Sequence, residues 1–249
     1  MRFDIITLFP ELFAPHLTLG VTRRAFETAR VDVRLWPLRD FADDAYRRVD
    51  DRPFGGGPGM VLLAEPLLRA LDAIGAQRGA LPAVIHFTPT GRRIDQTLIE
   101  SMARGAGAVL LCGRYEGIDQ RLVDARVTDE LSLGDFVLSG GELPALALLD
   151  AVARLQDGVL TAPSHQQDSF SDGLLEGAHY SRPERLVIDG SEREVPAVLM
   201  SGHHLEIARW RRQQALTITA RRRPDLIDAA RRAGKLTAAD EKLLVSLGL

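Results

Sequence analysis

Apolar residues up to position 155 fall into short runs that are separated by longer amphipathic stretches. The short runs predict strands at residues 3–8, 31–36, 83–87 and 108–112, with a shorter one near Val127. The longer stretches predict helices at residues 10–13 with the segment after Gly20, and at 66–74, 95–103 and 144–155. Strands that alternate with helices are typical of an α/β fold with a mostly parallel sheet covered on both faces.

The pattern changes after residue 160. Residues 161–173 are polar and have no period, which predicts a flexible linker or mobile loop. Three helical patterns follow, at residues 204–216, 224–233 and 237–247. The last opens with Thr237 and Asp240, a spacing similar to a capping box with Asp in place of Glu. We therefore expect an α/β domain over 1–160, a linker over 161–173 and a small all-helical domain over 174–249.

Composition narrows the class of protein. Hydrophobic residues make up 45% and charged residues 26% of the 249 positions, as in ordinary globular proteins. The single cysteine, Cys112, lies in an apolar run and excludes an internal disulfide or a Cys-rich zinc site. The N-terminus lacks a signal-peptide pattern, and no apolar run approaches the ~20 residues of a membrane span. A cytoplasmic protein without membrane contact is expected.

Charge is distributed unevenly behind a net charge of −3. Between His203 and Lys235, nine basic residues against three acidic ones give a formal charge of +6, so the remainder carries −9. Such a segment is typical of contact with a polyanion, although solvated helix faces would also explain it.

Four glycine-containing segments hold the candidate chemistry: residues 50–60, 88–91, 112–117 and 132–144. The second and third directly follow predicted strands. Ligands of open α/β sheets bind beyond the carboxyl ends of strands, so loops that converge there would form a pocket lined by backbone donors and acceptors, which suits an adenine ring. Glycine in flexible surface loops is the alternative, but Pro53 and Pro58 stiffen the first segment.

Known nucleotide motifs are missing from these loops. No Gly-Lys-Ser/Thr follows the first segment, so it is not a P-loop, and none of the four has the Gly-x-Gly-x-x-Gly of dinucleotide-binding proteins. A nicotinamide-dependent oxidoreductase predicts that fingerprint after the first strand, where the chain instead continues with Phe9, Pro10 and Glu11. A non-catalytic RNA-binding module stays open as a further alternative.

The glycine segments resemble those of one bacterial family. The resemblance rests on residues 48–60, 112–119 and 134–145, with shorter matches at 8–11, 168–170 and 201–204. The matches occur in order along almost the whole chain. The family is that of the tRNA (guanine-N1)-methyltransferases that act on the guanine 3′ of the anticodon, at position 37, a modification that supports reading-frame maintenance.

The resemblance implies the SPOUT fold, in which the α/β sheet is threaded into a C-terminal trefoil knot. It also implies S-adenosylmethionine as methyl donor and a homodimer with shared active sites. Magnesium at the cofactor carboxylate is a family-level option; no metal ligands are assigned. Carried over by motif, the cofactor-binding residues are Pro89, Gly91, Gly113, Tyr115, Glu116, Gly117, Leu133, Gly134, Leu138, Gly140, Gly141 and Pro144.

Two catalytic residues follow from the same resemblance. Guanine N1 is protonated near neutral pH, so methyl transfer needs a base, and the match at 168–170 makes Asp168 the candidate. Arg154 is the candidate cation that stabilises charge on O6 of the guanine. The alternatives are a solvated carboxylate at Asp168 and an ion pair of Arg154 with Asp150 at (i, i+4) spacing.

The predicted RNA contacts lie in the first glycine loop and in the basic segment. The expected substrate is a tRNA in which a guanine precedes guanine 37, and backbone groups of the loop would read that neighbour. A basic helix around Arg209–Arg212 and the cluster at residues 221–223 would hold phosphates. The candidate RNA-binding residues are Arg52, Gly55, Gly56, Gly57, Pro58, Gly59, Ser201, His203 and Arg209.

Overall fold

A computed structural model describes residues 1–160 and 168–248 of the chain. The chain divides into two compact units, Met1–Thr161 and Ala162–Leu249. None of the described helices is long and apolar enough to cross a membrane.

The first unit is built on a five-stranded parallel sheet, as the sequence predicts. The strand order is β2-β1-β6-β5-β7. The strands are β1 (Arg2–Thr7), β2 (Asp32–Pro37), β5 (Val84–Arg93), β6 (Val109–Leu111) and β7 (Asp129–Ser132). The strand expected near Val127 therefore begins two residues later, and β5 continues six residues beyond its expected end.

Two further strands, β3 (Asp50–Asp51) and β4 (Val61–Leu62), form a separate antiparallel pair that the apolar pattern does not predict. This pair brings together the two ends of the first glycine segment. Residues 52–60 therefore form a loop with fixed ends rather than an open connection.

Helices cover both faces of the sheet in the first unit. They are α1 (Ala14–Thr18), α2 (Arg23–Glu27), α3 (Ala64–Arg78), α4 (Gln96–Ala103), α5 (Gln120–Arg126) and α6 (Glu142–Arg154), with 3-10 turns at Pro10–Leu12 and Leu38–Phe41. One core packs α2, α4 and α6 against the sheet, and a second packs α3 and α5. Adjacent β1 side chains enter different cores because successive residues of a strand point to opposite faces: Ile5 joins the first and Ile6 the second.

The second unit is mainly helical, as predicted. It contains α7 (Ala197–Met200), α8 (His204–Arg222), α9 (Pro224–Arg232) and α10 (Ala238–Ser246). The capping box expected at the start of the last helix is present, since Thr237 accepts from Asp240 N–H and donates its own N–H to the Asp240 carboxylate. Leu174, Leu216, Ile227 and Leu244 are buried among the core residues of this unit.

The second unit also contains a β-hairpin, an addition to the predicted helices. Its strands are β8 (Arg185–Ile188) and β9 (Ser191–Glu194), joined at Asp189 and Gly190 with φ of 50° and 74°. Asp-Gly with positive φ at both positions is a preferred two-residue hairpin connection, because its twist matches that of the strands.

The predicted linker falls partly outside the described residues, which resume at Asp168. From there to residue 173 the chain forms hydrogen-bonded turns, with Ser171 N–H donating to Asp168 O at 3.2 Å and Gly173 N–H to Phe170 O at 3.1 Å. The linker boundaries and flexibility stay predictions.

Candidate active site

A cavity of about 270 Å³ lies at the carboxyl edge of the sheet in the first unit. Its walls are the loops that follow β5, β6 and β7, together with the start of α6. The predicted cofactor residues that line it are Pro89, Gly113, Tyr115, Glu116, Gly117, Leu133, Gly134, Leu138, Gly140, Gly141 and Pro144. Further lining residues include His86, Phe87, Arg114, Phe136 and Ser139. The second, third and fourth glycine segments thus meet at one site.

Gly91 does not line this cavity. It lies in β5 between Phe87 and Arg92, where the pairing with β7 changes register. A Cβ atom at Gly91 would stand 2.5 Å from the backbone nitrogen of Leu131, a distance that real Cβ atoms do not reach. The position therefore needs glycine for close packing of β5 on β7, whereas its assignment to the cofactor stays a prediction.

Close backbone contact joins the loops after β6 and β7. Gly141 N–H donates to Gly113 O at 3.0 Å, and Arg114 and Gly140 form a short antiparallel bridge. A Cβ atom at Gly141 would lie 2.7 Å from Cys112 Cα. The absence of a side chain at Gly141 is thus what lets the two walls of the cavity meet.

If the cavity binds the predicted cofactor, S-adenosylmethionine, Gly141→Ala is expected to weaken that binding at least tenfold, because the backbone must move to admit the methyl group. Isothermal titration calorimetry measures this directly. Gly75→Ala is the matched control, since a Cβ there has its nearest neighbour at 3.6 Å and helix α3 favours alanine. Equal affinities of the two variants would show that the contact does not shape the binding site.

Arg114, which lines the cavity, forms an ion pair with the buried Glu142. Nε of Arg114 lies 2.9 Å from Oε2 of Glu142, whose side chain is only 1% exposed. Thr7 donates its hydroxyl to the other carboxylate oxygen at 2.8 Å. The guanidinium also donates to Ser139 O at 3.1 Å and stands 4.5 Å from the Phe9 ring centre. These contacts tie β1, the loop after β6 and the start of α6 together.

Two further ionisable side chains lie in this region: His86 lines the cavity, and Cys112, which precedes the lining residue Gly113, is buried in the core. Burial raises the pKa of the Cys112 thiol well above its ordinary value, with Glu142 adding to the effect and Arg114 opposing it. Burial lowers the pKa of His86, although Glu130, 3.4 Å from its Nδ1, acts in the opposite direction. At neutral pH the thiol is therefore protonated and the imidazole uncharged, so His86 presents a neutral polar ring to the cavity.

The first glycine loop packs against the same site. Glu116 N–H donates to Met60 O at 3.0 Å, and Leu62 N–H donates to Gly117 O at 2.9 Å. A side chain at Gly59 would collide with the Glu116 carboxylate. Beyond these contacts, positions Gly55 to Gly57 adopt positive φ with open space around them, so the tip of the loop is free to approach a ligand.

The candidate catalytic residues lie in different units. Arg154 is the last residue of α6 in the first unit, and Asp168 opens the described part of the second; both side chains are half-buried. Each is engaged in an interaction of its own. Within residues 1–160 and 168–248, no group of three or more His, Cys, Asp or Glu side chains is arranged to hold a metal ion.

The RNA candidates of the second unit surround the start of α8. His203 occupies the N-cap position without a side-chain capping bond, and its N–H donates to Ser201 Oγ at 3.2 Å. Arg209 is exposed and pairs with Glu206 at 3.0 Å. His203 and Arg209 are thus at the surface, where solvated side chains can exchange protein partners for phosphate oxygens.

Ion pairs within the second unit reduce the charge available to RNA. Arg223 pairs with Asp225, and Arg231 pairs with Glu241 and Asp228. In the part of the chain that the structure describes, some basic positions of this segment have no acidic group within 4.0 Å: Arg211, Arg221, Arg222 and Arg232.

Comparison of the sequence with known proteins identifies the family of the chain. The family model for tRNA (Guanine-1)-methyltransferase TrmD matches residues 1–229. A tRNA (guanine-N(1)-)-methyltransferase of Leptothrix cholodnii is 68% identical over 250 residues, covering 100% of both chains. One from Methylibium petroleiphilum is 66% identical over 252 residues, covering 99% of this chain and 98% of its own. The chain therefore belongs to the tRNA (guanine-1)-methyltransferase family, and with it to the SPOUT class.

Proposed function

We propose that this protein transfers a methyl group from S-adenosylmethionine to N1 of guanine 37 in tRNA. The observation that carries the proposal is the cavity at the sheet edge, whose walls are the same glycine loops that match the family. We further propose that the enzyme works in the cytoplasm, and that the modification supports maintenance of the reading frame.

The residues of the cavity suit S-adenosylmethionine. Backbone groups of residues 113–117 and 132–141 offer donors and acceptors to the adenine edge, while Leu133, Leu138 and Pro144 supply apolar contact for its faces. The Glu116 carboxylate is the proposed partner of the methionine end, where it would meet the ammonium group. When bound, the cofactor supplies a methyl group on a positively charged sulfur. The proposed mechanism does not require magnesium, which stays a family-level expectation.

Asp168 is the proposed general base. Guanine N1 is a poor nucleophile while it holds its proton, so a carboxylate oxygen must take that proton as the new N–C bond forms. A carboxylate is a weak base for this proton, and catalysis therefore depends on the placement of its oxygen within hydrogen-bond distance of N1. The turn that follows Asp168 would provide that placement.

Arg154 is the proposed partner of O6. Removal of the N1 proton shifts negative charge onto O6, and a fixed guanidinium lowers the energy of that state. Arg154 ends α6 about 15 Å along the helix axis beyond Pro144 at the cavity, so the proposed role rests on the resemblance to the family.

The RNA would be held by the loop at residues 52–60 and by the basic face of the second unit. Backbone groups at Gly55 to Gly59, with Arg52 on the phosphate, would read the guanine that precedes position 37. The basic positions without acidic neighbours would add salt-dependent phosphate contacts. We propose a homodimer with shared active sites, supported by exposed apolar residues in the first unit: Phe9, Leu12, Leu19, Val21 and Leu143.

Transfer of labelled methyl groups to tRNA transcripts tests the proposal. A transcript with guanine at positions 36 and 37 should accept one methyl group at N1 of guanine 37, located by nuclease digestion and mass spectrometry. A transcript with adenine at position 36 should react about 5- to 150-fold more slowly, since each recognised base contributes about 1–3 kcal/mol in nucleic-acid complexes. A methyl group at any other base, or none, would refute the assigned position.

A further inference from the structure

The segment that begins with Asp168 is fastened to the helical unit along its length. Leu174 is 2% exposed in the core of that unit. Leu175 N–H donates to the buried Thr219 hydroxyl at 2.9 Å, and Glu176 N–H donates to Ser169 Oγ at 3.0 Å. The backbone after Asp168 is thus fixed by the burial of Leu174, by one hydrogen bond to α8 and by one hydrogen bond within the segment.

Arg212 supplies the charged part of this attachment. Its Nη1 lies 2.7 Å from Oδ2 of Asp172, four residues after Asp168. Its Nη2 and Nε donate to the Asp240 carboxylate at 3.1 Å and 3.3 Å, and Nη2 also reaches Lys235 O at 3.4 Å. One guanidinium on α8 therefore connects the Asp168 turn with the capped start of α10.

The environment of Asp240 keeps its carboxylate charged and fixes the orientation of the Arg212 guanidinium. Burial alone would raise the pKa of Asp240, but hydrogen bonds from Arg212 and Thr237 outweigh it and leave that pKa below its ordinary value. Asp240 is 7% exposed, so it holds one side of the guanidinium in place while the other side faces Asp172. Because a guanidinium is planar and forked, fixing one edge sets the direction of the other.

We propose that Arg212 is a positioning residue for methyl transfer, which fixes the Asp168 turn on the helical unit through its ion pair with Asp172. The inference rests on the proposed function, in which Asp168 is the base. It differs from the expectation that this part of α8 serves to hold RNA phosphates. A base that works by placement is sensitive to small displacements of its backbone, and Asp172 belongs to the same short turn.

Steady-state and binding measurements on Asp172→Asn, Arg212→Gln and the double variant test the proposal. Asp172→Asn alters an exposed side chain and leaves the Asp240 contact intact, so folding should be preserved. We expect each single variant to lower kcat about tenfold at saturating tRNA and cofactor, with the Kd for tRNA unchanged within twofold. The double variant should be no slower than the slower single variant, since both changes break the same Arg212–Asp172 ion pair. Arg212→Lys should recover part of the rate.

Arg231→Gln is the matched control. Arg231 also links two helices of this unit, through a paired contact with Glu241 at 2.9 Å, but does not contact the Asp168 turn. It should keep normal kcat, and its unfolding midpoint should fall less than that of Arg212→Gln, because Glu241 is more exposed than Asp240. If Arg231→Gln lowers kcat equally, general loosening of the unit explains the effect and the proposal is overturned.

Two other outcomes also overturn it. A weaker Kd for tRNA with unchanged kcat would make Arg212 a phosphate contact. Normal kcat in Asp172→Asn would show that the ion pair does not position the turn. Failure of the proposed function is distinguishable from these outcomes. In that case the enzyme without substitutions would fail to methylate the transcript with guanine at positions 36 and 37.

Discussion

Replacing Asp168 with asparagine is expected to lower kcat for methyl transfer by a factor of about 10²–10⁴, the usual contribution of a general base. Asparagine has nearly the same shape but cannot accept the N1 proton. The proposed cofactor cavity lies in the first unit and Asp168 in the second. The Kd for S-adenosylmethionine should therefore stay within twofold of its normal value. Rapid-quench measurement of a single turnover separates the chemical step from product release.

Asp189→Asn provides the control for this substitution. Asp189 is an exposed aspartate of the same unit, and asparagine is readily accommodated at its positive φ in the hairpin turn. It loses the same charge, so its single-turnover rate should be unchanged. Near-normal turnover of Asp168→Asn would assign proton removal to another group or to water.

Glu142→Ala is expected to lower the free energy of unfolding of the first unit by about 3 kcal/mol. Removing one partner of a buried ion pair leaves the other charge without compensation, which typically costs about 3–5 kcal/mol. The lower end applies because the Arg114 side chain is 18% exposed and retains Ser139 O as an acceptor. Thr7 would lose its acceptor as well. Urea unfolding followed by circular dichroism measures the loss.

Glu27→Ala is the matched comparison for Glu142→Ala. Glu27 pairs with Arg23 at 3.8 Å, and both side chains are more than half exposed. An exposed pair contributes about 0–1 kcal/mol, so this variant should unfold almost as the unmodified protein does. Calorimetry should also find weaker cofactor binding in Glu142→Ala alone. If both variants unfold at the same urea concentration, the Arg114–Glu142 pair does not stabilise the fold.

The sequence is sufficient to predict the sheet and most of the helices, because their signals are local. The apolar run at residues 108–111 lies at the centre of the sheet, and the capping-box spacing at Thr237 marks the true start of α10. Helix α5 lacks so clear an apolar period, and β3 and β4 have two residues each, too few to produce one. The Asp189-Gly190 pair favours a turn, but the hairpin around it is not predicted, since β8 does not alternate between apolar and polar residues.

The candidate site likewise contains residues that the sequence predicts and contacts that it does not. Of the twelve cofactor candidates that the resemblance to the family predicted, eleven line the cavity. It gave Gly91 and Gly141 the same role, but only Gly141 lines the cavity, whereas Gly91 packs against the backbone of β7. The link from Arg114 through Glu142 to Thr7 joins residues 135 positions apart and leaves no local pattern. Arg212 looked like part of a basic helix face because its acidic partners are 28 and 40 positions away. The knot threading likewise has no signature in periodicity and stays an implication of the family.

The strand order of the sheet also determines when the first unit can assemble during translation. Strand β1 gains its second neighbour only when β6, more than a hundred residues later, has left the ribosome. Until then the backbone groups on one side of β1 have no partner, and such an edge readily pairs with other chains. The parallel, non-local pairing is also slow to form. The nascent chain of this protein is therefore most exposed to misassociation while its first hundred residues wait for the strand that completes them.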